Sequence, residues 1–179
     1  MKLYIKFMVS QQCKKIVQQK LEQMGLDYQG MDLCEVEVKN NITDLQRLRL
    51  KEELLVSGYE LMDGKSSSII QDIKDTIIDL VHYSDELPKI KNSDFLADKL
   101  KHDYTYMANL FSEATGITIE QYIISQKIDR VKRLLIFDKL TLTEISYKLN
   151  YCSVAHLSQQ FKKVTGLTPS FFKQLKVAQ

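Results

Sequence analysis

The period of the hydrophobic positions changes along this chain. Over about the first sixty residues, stretches that alternate every second residue are interleaved with stretches that repeat every three or four residues. That mixture indicates strands and helices in turn. Beyond residue 68 only the helical period is found. The pattern therefore predicts an α+β protein with a mixed amino-terminal domain and an all-helical carboxy-terminal domain.

The amino-terminal part is predicted to contain four strands and two helices in the order β-α-β-β-α-β. Strands are expected near 2–7, 28–31, 34–38 and 59–62, with a turn near Asp32-Leu33. The residues expected on the inner faces of the two helices are Val9, Cys13, Ile16, Val17 and Leu21 in the first, and Leu45, Leu48 and Leu55 in the second. This order is the split βαβ arrangement of a ferredoxin-like sandwich, in which the two helices cover one face of the sheet.

A short polar stretch separates the two parts. Residues 64–68 read Gly-Lys-Ser-Ser-Ser, a composition typical of a flexible linker, with a reach on the order of 12 Å. The alternative is a tight turn that holds both parts rigidly. We therefore expect a ferredoxin-like domain over 1–63, a linker over 64–68 and a helical domain over 69–179.

The helical part carries repeated start and stop signals. Helix starts are expected at Ser68 with Gln71, Ser93, Asp103, Thr118 with Gln121, Thr141 with Glu144, Ser153, and Thr168 with Pro169. Gly116 and Gly166 are expected to end two of these helices. Seven short helices follow from these signals.

Part of the helical pattern occurs twice. Ala97-Asp98-Lys99-Leu100, Phe111 and Gly116-Ile117-Thr118 correspond to Ser146-Tyr147-Lys148-Leu149, Phe161 and Gly166-Leu167-Thr168. Each copy predicts a helix, a tight turn and a second helix whose aromatic residue packs inward. This is the layout of a helix-turn-helix, in which the outer face of the second helix enters the DNA major groove.

The stretch from about Ile69 to Lys176 resembles the AraC family of bacterial transcription regulators. The resemblance is strongest over 145–172, which includes Phe-Lys-Lys-Val-Thr-Gly-Leu-Thr-Pro at 161–169. It implies two helix-turn-helix units joined by one long helix, here about 119–137. Asn150 replaces a usual Gly, Leu157 a usual aromatic residue and Gln159 a frequent Arg. Asn tolerates a left-handed backbone, so the turn is expected to survive.

The resemblance also implies the positions that contact bases. By position these are Thr105, Ala108 and Asn109 in the first unit and Val154, Ala155, His156 and Gln159 in the second. Asn and Gln suit bidentate contacts to adenine, and the apolar side chains suit thymine methyl groups. Neither helix carries Arg, the commonest guanine reader, so we expect an A/T-leaning site.

Charge is distributed unevenly, although the net charge of the whole chain is only +2. It is −1 over 1–63 (nine basic, ten acidic), −2 over 64–144 (eleven basic, thirteen acidic) and +5 over 145–179, which has five Lys and no acidic residue. Lys162 and Lys163 follow the second base-contacting helix, and Lys173 and Lys176 lie on the last helix. The second unit is therefore expected to anchor DNA phosphates, with a log–log salt slope of about −4 to −5.

The candidate chemistry of the remaining residues is weaker. Residues 1–63 resemble small heavy-metal-associated domains through Met8, Ser10, Cys13 and Gly58-Tyr59, but Ser10 stands where that family has its first cysteine. One thiolate cannot clamp a soft ion alone. Cys13 is therefore the candidate metal ligand, with a plain structural thiol as the favoured interpretation, and no cofactor is expected.

Composition excludes several classes of protein. No stretch approaches 18 apolar residues and no signal-peptide core is visible, so we expect a cytoplasmic protein without a membrane partner. Three widely spaced cysteines argue against a disulfide framework. No catalytic triad spacing, P-loop or dinucleotide loop is present, so the chain is not expected to be an enzyme.

Together these patterns predict a sequence-specific DNA-binding transcription regulator. The alternatives are a metal-trafficking protein and a co-regulator that binds protein through its helices. Double-stranded DNA is the expected partner. RNA polymerase and a second copy of the chain are further candidates, and the effector of the amino-terminal domain is unknown.

Overall fold

The computed structural model describes residues 1–8, 10–32, 34–84, 87–88 and 90–177, with side chains up to residue 175. The chain forms two compact units. We call residues 1–72 together with 100–119 the sheet unit, and residues 73–99 together with 120–179 the helical unit. Three of the residues named in the sequence analysis lie outside the described part of the chain: Val9, Leu33 and, for its side chain, Lys176.

The sheet unit contains a four-stranded antiparallel sheet. Its elements are β1 (Lys2–Lys6), α1 (Gln11–Gln23), β2 (Tyr28–Asp32), β3 (Glu35–Val38), α2 (Asp44–Val56) and β4 (Glu60–Leu61). The strand order is β2-β3-β1-β4. In this register Leu3 lies opposite Val36 and Ile5 opposite Leu61. These buried side chains form one core with Val17 and Leu21 of α1.

The packing face of α2 differs from the sequence expectation. Leu45, Leu48 and Leu55 are 60%, 59% and 64% exposed, whereas Leu50 and Leu54 are fully buried. Leu50 and Leu54 are four residues apart and therefore share one helix face. That face points into the core. The sequence analysis had placed the wrong face of α2 against the core.

The second face of the sheet is also covered. Tyr4, which alternates with Leu3 and Ile5 along β1, is only 1% exposed, and its hydroxyl donates to Gln71 Oε1 at 3.1 Å. The helix α5 (Tyr104–Thr115) packs against β1 as well. The sequence predicted helices on one face only, because it does not show that elements far along the chain return to this sheet.

The expected linker is helical. Residues 64–68 form the start of α3 (Gly64–Ile78), which continues as a π-helical turn at Asp79–Tyr83. The Asp63 carboxylate accepts hydrogen bonds from the backbone N–H and the hydroxyl of Ser66, both at 2.8 Å. These bonds lower the pKa of Asp63. The predictions of a flexible linker and of a helix start at Ser68 were therefore wrong, because Asp63 caps the helix five residues before Ser68.

The remaining elements are all helices. They are α4 (Asn92–Leu100), α5, α6 (Ile119–Ile136), α7 (Leu142–Lys148), α8 (Val154–Thr165) and α9 (Pro169–Val177). The caps predicted at Asp103, Thr141 and Ser153 are confirmed. The core of the helical unit includes Ile128, Val131, Ile145, Leu157 and Phe161.

Candidate nucleic-acid interface

The helix pair α7 and α8 is joined by a tight turn. Asn150 has φ 52, so it adopts the left-handed conformation predicted for it. Its amide nitrogen donates to the Leu87 carbonyl at 2.9 Å. Ser153 then caps α8 by accepting from the His156 N–H at 3.1 Å. The small Ser146 is buried in α7 and donates to the Thr143 carbonyl at 2.9 Å. The turn is thus stabilised by its own residues together with the Leu87 carbonyl.

The two sides of α8 differ sharply in character. Leu157 and Phe161 are fully buried, and the Phe161 ring meets Phe172 of α9 edge-on at 5.5 Å. Ala155, His156 and Gln159 are exposed on the other side, followed by exposed Lys162 and Lys163. Val154 is half-buried. The predicted contact residues therefore form an accessible surface, apart from Val154 at its margin.

The buried Tyr151 packs beneath this surface. The sequence analysis did not identify it. Its hydroxyl donates to Gln160 Oε1 at 2.7 Å, and its ring meets the His156 ring edge-on at 5.3 Å. Burial raises the pKa of Tyr151 to about 12. His156, a predicted contact residue, is thus held against the tyrosine ring while its side chain remains exposed.

Lys127 of α6 is a second supporting residue that the sequence did not reveal. Its ammonium donates to the Leu149 carbonyl at 3.0 Å and lies 5.4 Å from the centre of the Tyr151 ring. Burial lowers the pKa of Lys127. No sequence signal singles it out, because it stands in the middle of a long helix with ordinary charge spacing.

The corresponding helix α5 belongs to the sheet unit. Asp103 caps it by accepting from the Tyr106 N–H at 2.9 Å. Thr105 and Asn109 are exposed and Ala108 is half-buried. The helix has no Lys or Arg, and its one acidic residue is Glu113. Its predicted contact residues are accessible, but they lack nearby basic residues on the same helix.

Lys6 of β1 pairs with the carboxylate of α5. Its ammonium lies 3.2 Å from Glu113 and 3.3 Å from Glu60 of β4. Burial alone would lower the pKa of Lys6, but the hydrogen bonds and charges of the two carboxylates together raise it. The sequence gives no sign of this contact, since Lys6 and Glu113 are more than a hundred residues apart.

The candidate metal ligand lies in a set of donors that does not fit a soft ion. Cys13 Sγ is 3.0 Å from the Ser10 hydroxyl, whereas the Cys34 thiol is buried and donates to the Met8 carbonyl. Among the described residues, no group of three or more His, Cys, Asp or Glu side chains is arranged to hold a metal ion. A thiolate clamp needs a second sulfur at the loop, and a serine occupies that position.

No helix within the described part of the chain is both long enough and apolar enough to cross a membrane.

Comparison with known proteins agrees with this geometry. Residues 96–174 match the family model described as a helix-turn-helix domain. The chain is similar to an uncharacterised HTH-type transcriptional regulator of Bacillus subtilis (strain 168), YtdP, with 25% identity over 127 residues. That match covers 71% of this chain and 16% of the relative, so the chain spans only a small part of that protein's length.

Two solved structures share the fold. One is a transcriptional regulator with an AraC-type DNA-binding domain from Chromobacterium violaceum, with a TM-score of 0.54 and 14% identity over 63% of this chain and 95% of that one. The other is the DNA-binding domain of AdpA, a global transcriptional factor, in complex with a target DNA, with a TM-score of 0.52 and 18% identity over 61% and 93%. These proteins are regulators rather than enzymes. Residues 96–174 therefore match a helix-turn-helix domain, and the chain is similar in sequence to a transcriptional regulator and in fold to AraC-type DNA-binding domains.

Proposed function

We propose that this protein binds specific double-stranded DNA sites by placing α5 and α8 in the major groove. The observation that carries the proposal is the exposed face of α8, where contact residues and two lysines lie opposite a fully buried apolar side. The major groove is about 12 Å wide and accepts one helix. We call α5 the first reading helix and α8 the second reading helix.

The proposed division of labour gives most of the affinity to the second reading helix. Lys162 and Lys163 would neutralise phosphates, while Gln159 and the small residue Ala155 would read bases. In the first reading helix, Thr105, Ala108 and Asn109 would read bases with little electrostatic support. Because neither helix has Arg, an A/T-leaning site is proposed.

A gel shift with random-sequence and genomic DNA tests the binding itself. We expect DNA binding that weakens when Lys162 and Lys163 are both replaced by Ala. Absence of any DNA binding would favour the alternative of a protein-binding co-regulator. Selection of bound sites from a random library tests the base preference, and guanine at most contacted positions would overturn the A/T-leaning site.

The amino-terminal residues 1–63 are proposed to form a ferredoxin-like regulatory part. The order β-α-β-β-α-β and the strand order β2-β3-β1-β4 support this assignment. Such a fold does not by itself define a ligand. The signal that acts on this part, a location in the cytoplasm and a contact with RNA polymerase are proposals that follow from the regulator family alone.

A second copy of the chain is the proposed partner of the outer face of α2. Leu45, Leu48, Leu55 and Val56 leave at least 59% of their surface exposed along one stripe of this helix. Exposed apolar patches of this kind mark interaction sites. Glu52 lies within the stripe, Arg49 lies at its edge, and both are exposed. An antiparallel pair of α2 helices around a two-fold axis would place each Arg49 near the partner's Glu52, so the surface is self-complementary.

Sedimentation velocity of the full chain tests this surface. We expect a concentration-dependent dimer that Leu48→Glu abolishes, while Phe137→Glu, at an exposed apolar residue of the helical unit, leaves it unchanged. Arg49→Glu and Glu52→Arg should each weaken the dimer, and their combination should restore it. A protein that stays monomeric at every concentration would contradict the proposal.

A further inference from the structure

The first reading helix carries a carboxylate in an unfavourable place for DNA binding. Thr105, Asn109 and Glu113 are spaced by four residues, so they lie in one row along the helix. Two of the three are proposed base readers, and Glu113 follows Asn109 by about 6 Å along the axis. The Glu113 side chain is 60% exposed. A negative charge on this row would repel the phosphates that flank the groove.

The sheet unit brings a cation to that carboxylate. Lys6 ends β1 and pairs in register with Glu60 of β4, and its ammonium reaches Glu113 at 3.2 Å. The Lys6 side chain is only 18% exposed, so its position is set by the surrounding packing. Tyr4, two residues earlier on the same face of β1, is buried beside it. The cation is therefore supplied by an ordered strand.

We propose that Lys6 is a positioning and charge-neutralising residue of the first reading helix. By cancelling the charge of Glu113, it removes the repulsion that would keep this helix away from DNA. The amino-terminal sheet thereby acts on DNA binding directly, since any signal that displaces β1 uncovers the Glu113 charge. This inference rests on the proposed placement of α5 in the major groove.

The test compares variants on one DNA fragment, the tightest binder that the wild-type protein selects from a random library. Hydroxyl-radical footprinting separates the two half-sites, and Asn109→Ala identifies the half bound by α5. We expect Lys6→Met to weaken protection of that half by about two- to fivefold, the usual effect of one exposed charge pair. Protection of the other half should stay unchanged.

A second substitution separates the electrostatic role from a merely structural one. In the Lys6→Met/Glu113→Gln double variant no carboxylate remains on the reading row, so protection of the first half should recover. The effect of Lys6→Met should also shrink as salt rises, because salt screens exposed charges. Glu60→Gln is the matched control. It removes the other partner of Lys6 and should cause no loss.

The outcomes are distinct. If the double variant protects no better than Lys6→Met, Lys6 acts as a tether and the inference is overturned. An unchanged footprint in Lys6→Met overturns it as well. If the wild-type protein selects no DNA at all, the proposed function is contradicted, and this inference is overturned because it rests on that function. Loss at the first half alone, with recovery in the double variant, supports both.

Discussion

The two reading helices share a scaffold and differ in their surface. Both have 12 residues and both end at a glycine in the left-handed conformation, Gly116 with φ 74 and Gly166 with φ 77. Phe111 and Phe161 are fully buried at matching positions. Thr115 and Thr165 even repeat the same hydrogen bond, donating to the Phe111 and Phe161 carbonyls at 2.7 and 2.8 Å. The two copies of the repeat therefore share their buried packing residues and the hydrogen bonds at their helix ends.

The exposed residues of the two helices have diverged. The second reading helix has two lysines and no acidic residue, while the first has one glutamate and no basic residue. Their surroundings differ too, since α8 packs with α7 and α9 and α5 packs with β1. Buried positions tolerate few substitutions because each loses close packing, whereas exposed positions are free to change. This difference supports the proposal that the second repeat binds phosphates and the first is the regulated one.

The largest expected effect concerns the lysines of the second reading helix. Lys162→Ala/Lys163→Ala should weaken DNA binding on the order of 50-fold at 0.1 M salt, and flatten the log–log salt slope by about 1.8, if each lysine neutralises one phosphate. Fluorescence anisotropy over a salt series measures both. Lys39→Ala/Lys51→Ala removes the same charge from exposed positions of the sheet unit and should change neither. Equal losses in the two double variants would show that only net charge matters.

The base-reading amides provide the next comparison. Gln159→Ala should remove about 1–3 kcal/mol of discrimination at one base pair, the usual worth of a bidentate contact. Asn109→Ala should relax one position of the other half-site with a smaller loss of total affinity, because α5 contributes fewer phosphate contacts. Binding to sites with single base changes measures both. If Asn109→Ala costs more total affinity than Gln159→Ala, the second helix does not dominate.

The two turns should respond in opposite directions to substitution. Lys101 and Asn150, at matching positions before α5 and α8, have φ 57 and 52. A left-handed residue other than Gly costs about 1–2 kcal/mol, and Asn pays less of this cost. Lys101→Gly should therefore stabilise the protein by about 1 kcal/mol.

Asn150→Ala should destabilise it by about 2 kcal/mol, because it adds backbone strain and removes the hydrogen bond to Leu87. Urea unfolding measures both variants. Shifts of the same sign would mean that the two turns are not equivalent.

The smallest expected effect concerns the cap of α3, which replaces the expected linker. Asp63→Ala should cost about 1 kcal/mol at neutral pH. The hydrogen bonds from Ser66 lower the pKa of Asp63, so the ionised carboxylate is favoured in the folded state. Its stabilisation is present above the pKa of the unfolded chain, near 3.8, and is lost as the pH falls through the lower folded value.

Thermal unfolding at several pH values measures this loss. The difference between Asp63→Ala and wild type should disappear in acid, and Asp27→Ala, at an exposed aspartate, should show no such trend. A constant difference at every pH would refute the cap.

Sequence signals predicted the local elements of the helical unit well. The Thr141–Glu144 capping box, the Ser153 cap and the left-handed Asn150 depend on residues within a few positions of one another. The face of α2 was wrong because leucines occur all around that helix, so the hydrophobic period alone did not select one side. The linker prediction was wrong because the run of three serines drew attention away from the aspartate cap, which lies three residues before the first of them.

The sequence by itself determined the repeat, the helix-turn-helix pattern and the basic carboxy-terminal end, because caps, turns and charge counts are local properties of the chain. Only the tertiary structure decided which groups support the reading helices. Lys127 reaches the Leu149 carbonyl over 22 positions, and Lys6 reaches Glu113 over 107. Such contacts depend on how distant elements pack, and packing is selected by the whole core rather than by any segment. The ion pair of Glu113 in the first reading helix therefore depends on the tertiary structure, whereas the positive charge of the second reading helix comes from lysines in its own sequence.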